Sequence, residues 1–259
     1  MPEPQRPIKT LERVISKAGL GSRTDARQWI GAGRVRVNGR LVQTPDHWVD
    51  LERDVVSLDG KPVTARRRFY IALYKPKGFI TSYGDPRGRP TVYDLVSDLG
   101  AFVVPVGRLD QDTSGLLLMT NDTAFAEWIM NPEHEVPKTY LVKAATVLSG
   151  AQLEQLQRGV DLDDGPTKPA EVRRLRDSGR HSFLELTIRE GRNREVRRMI
   201  EAVGSRVLKL VRTSVGTLKL GPLAIGRYRE LTPQEVKSLF PGNRRKPTRR
   251  ARPTPGRRT

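Results

Sequence analysis

The residues best suited to chemistry fall in one stretch, GRLDQDTSGLLLMTND, from Gly107 to Asp122. Val103, Val104 and Val106 lead into a polar turn holding Arg108, Asp110, Asp112, Thr113, Ser114 and Gly115, and Leu116–Met119 lead out of it. Apolar runs on both sides of so short a polar segment predict two buried strands joined by a rigid loop, a common way to present a reactive side chain. A carboxylate held there can serve as nucleophile or as base. The same pattern also describes a plain hairpin whose aspartates make turn hydrogen bonds.

Such a loop needs a scaffold, and strand-like runs are available at Phe69–Tyr74, Phe102–Val106, Leu116–Thr120, Thr139–Lys143, Phe183–Arg189 and Val207–Leu210. Helix-like runs occur at Thr123–Met130, Ser149–Arg158 and Arg194–Val203. Strands and helices are interspersed without a regular βαβ period, so the body, residues 66–240, reads as α+β with a mixed, largely antiparallel sheet.

A smaller α/β module precedes it at residues 8–65. Leu11, Val14, Ile15 and Ala18 give helical spacing from Ile8 to Ala18, and Gly19 and Gly21 break it. Ser22 is a suitable N-cap for a second helix reaching about Ala32, which Gly33 stops. In RVRVNGRLV, Val35 and Val37 alternate with arginines and Asn38-Gly39 signals a type I′ turn. A further strand is expected around Asp54–Leu58. The exposed face would carry Arg23, Arg27, Arg34, Arg36 and Arg40. Arg66–Arg68 marks a linker. Residues 1–7 are expected to be a flexible N-terminus, and the proline-rich basic tail 241–259 to be disordered alone.

Composition narrows the function. The net charge is +18; the tail holds eight Lys/Arg and no acid, which leaves 39 basic against 29 acidic residues, or +10, for residues 1–240. A body basic in its own right points to a polyanionic partner, most often nucleic acid, although charge alone does not separate RNA from DNA or an anionic membrane. Cysteine is absent, which excludes disulfides, thiol nucleophiles and cysteine-ligated zinc. His47, His134 and His181 are far apart, so no metal site is expected. No stretch approaches the ~18 apolar residues of a membrane helix, and MPEPQRPIKT lacks the apolar core of a secretory signal. A cytoplasmic, membrane-free protein is expected.

GRLDQDTSGLLLMTND resembles the catalytic motif of the pseudouridine synthases that modify ribosomal RNA, in the RsuA/RluB/RluE/RluF branch. KPKGFITS (Lys75–Ser82) resembles that family's segment after the first catalytic strand, KTYLV (Lys138–Val142) its tyrosine-bearing strand, and LTIREGRNREVRRM (Leu186–Met199) its third motif. SKAGLGSRTDARQWIGAGRVRVNG resembles an S4 RNA-binding domain. The matching segments run in order over about residues 8–240. Thr123, Glu195 and Val215 depart from residues common in the family, where glycine, glutamine and tyrosine are frequent; none removes a reacting group.

The resemblance implies isomerisation of a uridine to pseudouridine in ribosomal RNA, without cofactor or metal. No G-x-x-x-x-G-K-[ST] or G-x-G-x-x-G fingerprint is present. It assigns Asp110 as catalytic carboxylate, Arg197 as its cation and Tyr140 as the active-site tyrosine. Pattern alone favours instead a surface Arg197–Glu201 pair and a core aromatic at Tyr140. Arg108, Lys75, Arg192, Arg194 and Arg198 are candidate phosphate contacts, and Arg23, Arg27, Arg34 and Arg36 candidate RNA contacts of the module. The motifs look most like the enzymes of the large subunit, with the small-subunit enzyme as runner-up. A non-catalytic S4-type RNA-binding or ribosome-assembly protein is the rival reading. The partner expected is ribosomal RNA or a ribosomal-subunit precursor, met by a monomer.

Overall fold

The structure, a computed structural model, describes residues 8–64 and 67–240; the expected flexible N-terminus, the basic tail and part of the linker lie outside the described residues. The N-terminal segment departs from its helical spacing. Strand β1 (Ile8–Thr10) pairs antiparallel with β4 (Trp48–Asp50), and helix α1 (Leu11–Lys17) starts only at Leu11. Pairing with β4, whose Val49 is fully buried, overrides the local helical pattern. Helix α2 (Arg23–Gly31) begins in a capping box: Asp25 N donates to the Ser22 hydroxyl and Ser22 N to the Asp25 carboxylate. Strands β2 (Val35–Val37) and β3 (Arg40–Leu41) are joined through Asn38 and Gly39 at φ 51° and 78°, both left-handed as a type I′ turn requires. β5 (Val56–Leu58) and β6 (Lys61–Pro62) complete a four-stranded sheet in the order β3-β2-β5-β6. Leu11, Ile15, Ala26, Ile30, Val35 and Val49 form its core.

The body is built on one nine-stranded sheet. In chain order its strands are β7 (Tyr70–Lys75), β8 (Val104–Pro105), β9 (Ser114–Thr120), β10 (Lys138–Ala144), β13 (Glu171–Ser178), β14 (His181–Ile188), β15 (Val207–Val215), β16 (Leu218–Lys219) and β17 (Tyr228–Glu230). A separate small hairpin is formed by β11 (Asp161–Leu162) and β12 (Gly165–Pro166). The main path across the sheet is β13-β14-β10-β15-β9-β7-β17, and every pairing is antiparallel except β15 with β9. Helices α4 (Gly150–Arg158) and α5 (Glu195–Ala202) cover one face, where Val196, Met199 and Ile200 pack with Leu117, Met119, Val142 and Leu186. Helices α3 (Thr123–Met130) and α6 (Pro233–Leu239) cover the other, around Leu116, Leu118, Phe125 and Ile129.

The strand expected at Val207–Leu210 continues to Val215, and the run Phe102–Val106 yields only the two-residue β8. Strand β13, EVRRLRDS, shows no apolar alternation, because it is a mostly exposed edge strand. At the parallel crossing, Arg212 lies opposite Gly115, whose φ is +115°, and a Cβ there would overlap the Arg212 backbone. That close approach seats β15 beside the loop that bears Asp110.

Candidate active site

Asp110 stands on the loop between β8 and β9, and segment 75–81 clamps that loop from behind. The Lys75 ammonium, fully buried at the end of β7, donates to the carbonyl oxygens of Asp110 (2.9 Å), Thr113 (2.8 Å) and Pro76 (3.1 Å). The Thr81 hydroxyl donates to the Leu109 carbonyl oxygen at 2.8 Å and accepts from Leu109 N at 3.2 Å. Gly78 N donates to Gln111 O at 2.8 Å, and the Gln111 amide returns a bond to Gly78 O at 3.2 Å. Thr113 N closes the turn onto Asp110 O at 3.0 Å. The backbone under the carboxylate is thereby fixed at the carbonyl oxygens of Leu109, Asp110, Gln111 and Thr113.

The carboxylate itself faces two guanidinium groups. Arg194 Nη1 lies 3.7 Å and Arg197 Nε 3.9 Å from Asp110 Oδ2. Both separations exceed hydrogen-bond length, and the carboxylate accepts no hydrogen bond among the described residues. Its lone pairs are therefore unspent, while its charge is balanced from two sides. Arg197 is 10% exposed; its Nη2 donates to Asp112 O at 3.1 Å and to the Thr113 hydroxyl at 3.4 Å, and its buried Nε has no hydrogen-bond partner among the described residues. Burial first, and Arg194 second, lower the pKa of this guanidinium. Arg194 reaches the site because its backbone is left-handed, φ 49°, an uncommon state for arginine, immediately before α5.

In front of Asp110 opens a cleft of about 380 Å³, bordered by Ser82, Asp85, Arg89, Arg108 and Arg194. That volume lies within the ~300–1,000 Å³ usual for small-molecule clefts. Arg89 grips Asp85 through two side-chain bonds and one backbone bond, which hold the Asp85 carboxyl at about 2. Arg108 is exposed and has no side-chain partner among the described residues.

Several residues singled out in the sequence are placed elsewhere. Burial pushes Lys75 down to about 8 and commits its ammonium to three carbonyls, so it offers nothing to a phosphate. Arg192 donates to Gly165 O (2.8 Å), Pro166 O (2.5 Å) and Glu190 (3.1 Å), tying the β11–β12 hairpin to α5. Arg198 makes a bidentate pair with Asp164 at 2.8 and 3.1 Å. Arg23 and Arg27 both converge on the buried Glu12, and Arg34 pairs with Asp59; Arg36 donates to Gly39 O. All four of these stay exposed on the module. Tyr140 is 8% exposed in the core beside Val142 and Leu186, and does not border the cleft. A stacking role would require a base to pass beyond Asp110 toward β10.

Thr81, Gln111 and the buried Arg212, which donates to Leu116 O at 2.8 Å, support the site without having been singled out. Thr81 and Gln111 lie beside the KPKG and GRLD segments, whereas no local signal pointed to Arg212. Among the described residues no three His, Asp or Glu side chains group as a metal site would need.

Comparison with known proteins decides the family. A profile of the RNA pseudouridylate synthases matches residues 69–202, and an S4-domain profile matches residues 10–56. The chain belongs to the RNA pseudouridine synthases. This synthase is 42% identical over 234 residues to the ribosomal large subunit pseudouridine synthase B of Bacillus subtilis, covering 90% of this chain and 96% of that one. It is 40% identical over 231 residues to an uncharacterized RNA pseudouridine synthase of Aquifex aeolicus, covering 89% and 93%. A pseudouridylate synthase crystal structure at 32% identity superposes with a TM-score of 0.65 over 89% of this chain and 99% of that one. The synthase is thus an RNA-directed isomerase with an S4 domain ahead of its catalytic domain. Among the described residues no helix is long and apolar enough to cross a membrane.

Proposed function

We propose that this synthase isomerises a specific uridine of large-subunit ribosomal RNA, with Asp110 as the reacting carboxylate. The observation that carries this reading is the Asp110 carboxylate itself, free of hydrogen bonds among the described residues and set between Arg194 and Arg197 at a cleft. The large-subunit target is supported by the likeness to the Bacillus subtilis enzyme.

The isomerisation breaks the bond from base N1 to ribose C1′, turns the uracil and joins C5 to C1′; the C5 proton is lost and N1 gains one, so no redox change occurs. The clamped loop keeps Asp110 in place while the base turns, and the two cations face its charge in a partly enclosed site. Extruding a uridine costs a few kcal/mol, least where it is unpaired, so a loop or distorted helix is the expected target. Arg108, free at the cleft edge, binds the phosphate beside the extruded nucleotide. The uracil, drawn past Asp110 toward β10, meets the ring of Tyr140.

The test is incubation with transcripts of large- and small-subunit ribosomal RNA followed by carbodiimide mapping. New pseudouridine in the large-subunit transcript, absent with Asp110→Asn, is expected. Modification of the small-subunit transcript alone would overturn the target, and an active Asp110→Asn chain would overturn the residue.

A further inference from the structure

Among the described residues two hydrogen bonds join the S4 module to the catalytic body, and both reach the same patch. Phe102 N donates to Gly19 O at 3.2 Å, and the Tyr83 hydroxyl donates to Asp25 Oδ2 at 2.7 Å. The Tyr83 ring packs edge-on against Tyr93 and Phe102, with centroids 4.9 and 5.3 Å away.

Tyr83 belongs to the wall of the cleft. Ser82 precedes it, Gly84, Asp85 and Pro86 follow it, and all four border the space in front of Asp110. Tyr83 alone in that run turns outward to the module. The base of the segment is closed by Ile80 and Val92, through Ile80 N to Pro90 O at 2.9 Å and Val92 N to Ile80 O at 3.0 Å. Asp85 stiffens the far side by accepting from Arg87 N and Arg89 N. Between these two fixed points, Tyr83 is where the wall is tied to something outside the body.

The anchor on the module is equally specific. Asp25 is the carboxylate that caps α2: its Oδ2 accepts from Ser22 N and Ser22 Oγ, each at 2.8 Å, as well as from Tyr83. Helix α2 also carries Arg23 and Arg27, which pair with Glu12 and remain more than half exposed on the module. One helix therefore presents cations to solvent and, through its N-terminal cap, holds the cleft wall.

We propose that Tyr83 is a positioning residue that couples the S4 module to the chemical step: RNA seated on α2 fixes the cleft wall through Asp25, so the module sets the shape of the uridine site besides tethering the substrate. This rests on the reading of the Asp110 cleft as the uridine site.

The experiment uses the full chain and a large-subunit ribosomal RNA transcript, with single-turnover rates at saturating RNA. Tyr83→Phe keeps the ring and deletes only the donor. It is expected to lower the rate roughly three- to tenfold, the range for one ordinary hydrogen bond at a half-exposed site. Binding of the same transcript, measured in the Asp110→Asn background, should stay within about twofold of the unsubstituted chain, as expected for a change that makes no RNA contact. Asp25→Asn should reproduce the rate loss, and the double substitution should be no slower than the worse single one. Thermal midpoints of all three confirm folding, and Tyr83→Phe by itself suffices if Asp25→Asn weakens the cap. An undiminished rate in Tyr83→Phe, losses that multiply in the double variant, or a loss carried wholly by RNA affinity would each overturn the coupling. A dead Asp110→Asn chain beside an active wild type secures the underlying reading in the same assay, so the two failures are told apart.

Discussion

The Lys75 ammonium donates to the carbonyl oxygen of Asp110 at 2.9 Å while the carboxylate of the same residue points away toward Arg194 and Arg197. One cation thus holds the backbone of the reacting residue and two others face its charge. Lys75→Met removes the donor shared by Asp110, Thr113 and Pro76 and frees the loop. A displacement of about 1 Å at a reacting group costs up to roughly 100-fold, so a loss on the order of 10- to 100-fold is expected in single-turnover rate. Because burial brings Lys75 down to about 8, raising pH through that value leaves two N–H groups for three carbonyls, and turnover should decline there. Unfolding would not explain the decline. Between about 8 and its ordinary 10.5 the unfolded chain binds more protons at this site, so the lysine's contribution to stability rises with pH. A Lys75→Met enzyme with wild-type rate and pH profile would rule the clamp out.

Arg197 does two things that a lysine does not. Its Nη2 spans Asp112 O and the Thr113 hydroxyl while its Nε faces Asp110. Arg197→Lys keeps a charge but loses the planar fork, so the loop and the carboxylate are no longer held by one rigid group. A loss of roughly 100-fold in single-turnover rate is expected. Arg194, nearly half exposed, pairs among the described residues with Asp110 alone, and Arg194→Lys should cost about tenfold or less by comparison. Equal losses in the two variants would refute the division of roles.

Gly115 carries φ +115° with the Arg212 backbone against the position of a Cβ. Gly115→Ala meets both an unfavourable dihedral and a backbone that is itself held in the sheet by β10. Destabilisation of about 3 kcal/mol or more is expected, together with a displaced Asp110 loop. Denaturant titration measures the first and single-turnover rate the second. A cost below about 1 kcal/mol would show that β15 yields easily.

How far each element could be read depends on where its partners come from. Ser22, Asn38 and Gly39 declare their geometry because capping and left-handed turns are settled within a few residues. The apolar stripe of α5 is equally local. Lys75 looks like a phosphate contact because lysine is seldom buried. Its acceptors lie up to 38 residues away, on a loop that only the folded sheet brings near. Arg192 and Arg198 are spent on the β11–β12 hairpin, two-residue strands with no periodicity to announce them. Arg194 and Arg197 do converge on Asp110; the helical register of Arg197 beside the packed stripe was legible, whereas the left-handed Arg194 ahead of α5 was not. Ile8–Thr10 reads as helix from its spacing and becomes strand because β4 is waiting, 38 residues further on at the Thr10–Trp48 pair.

Glu195 opens α5 one residue after Arg194 and gives a test of the site's surroundings by pH. Its Oε2 accepts from Arg192 N at 3.0 Å, its buried Oε1 has no hydrogen-bond partner among the described residues, and Glu190 lies close by. Burial first, and Glu190 second, push its carboxyl up to about 8. With the folded value raised above the ordinary 4.5, the folded chain keeps a proton that the unfolded chain releases. The stability from that proton is fully present below 4.5 and is lost as pH rises through about 8. Glu195→Gln carries a neutral donor at every pH and has no such loss. Its stability advantage over the wild type should therefore widen from pH 4.5 to about 8 and stay level above. Thermal midpoints taken in parallel across that range measure it, and a difference independent of pH would show that Glu195 is ionised throughout.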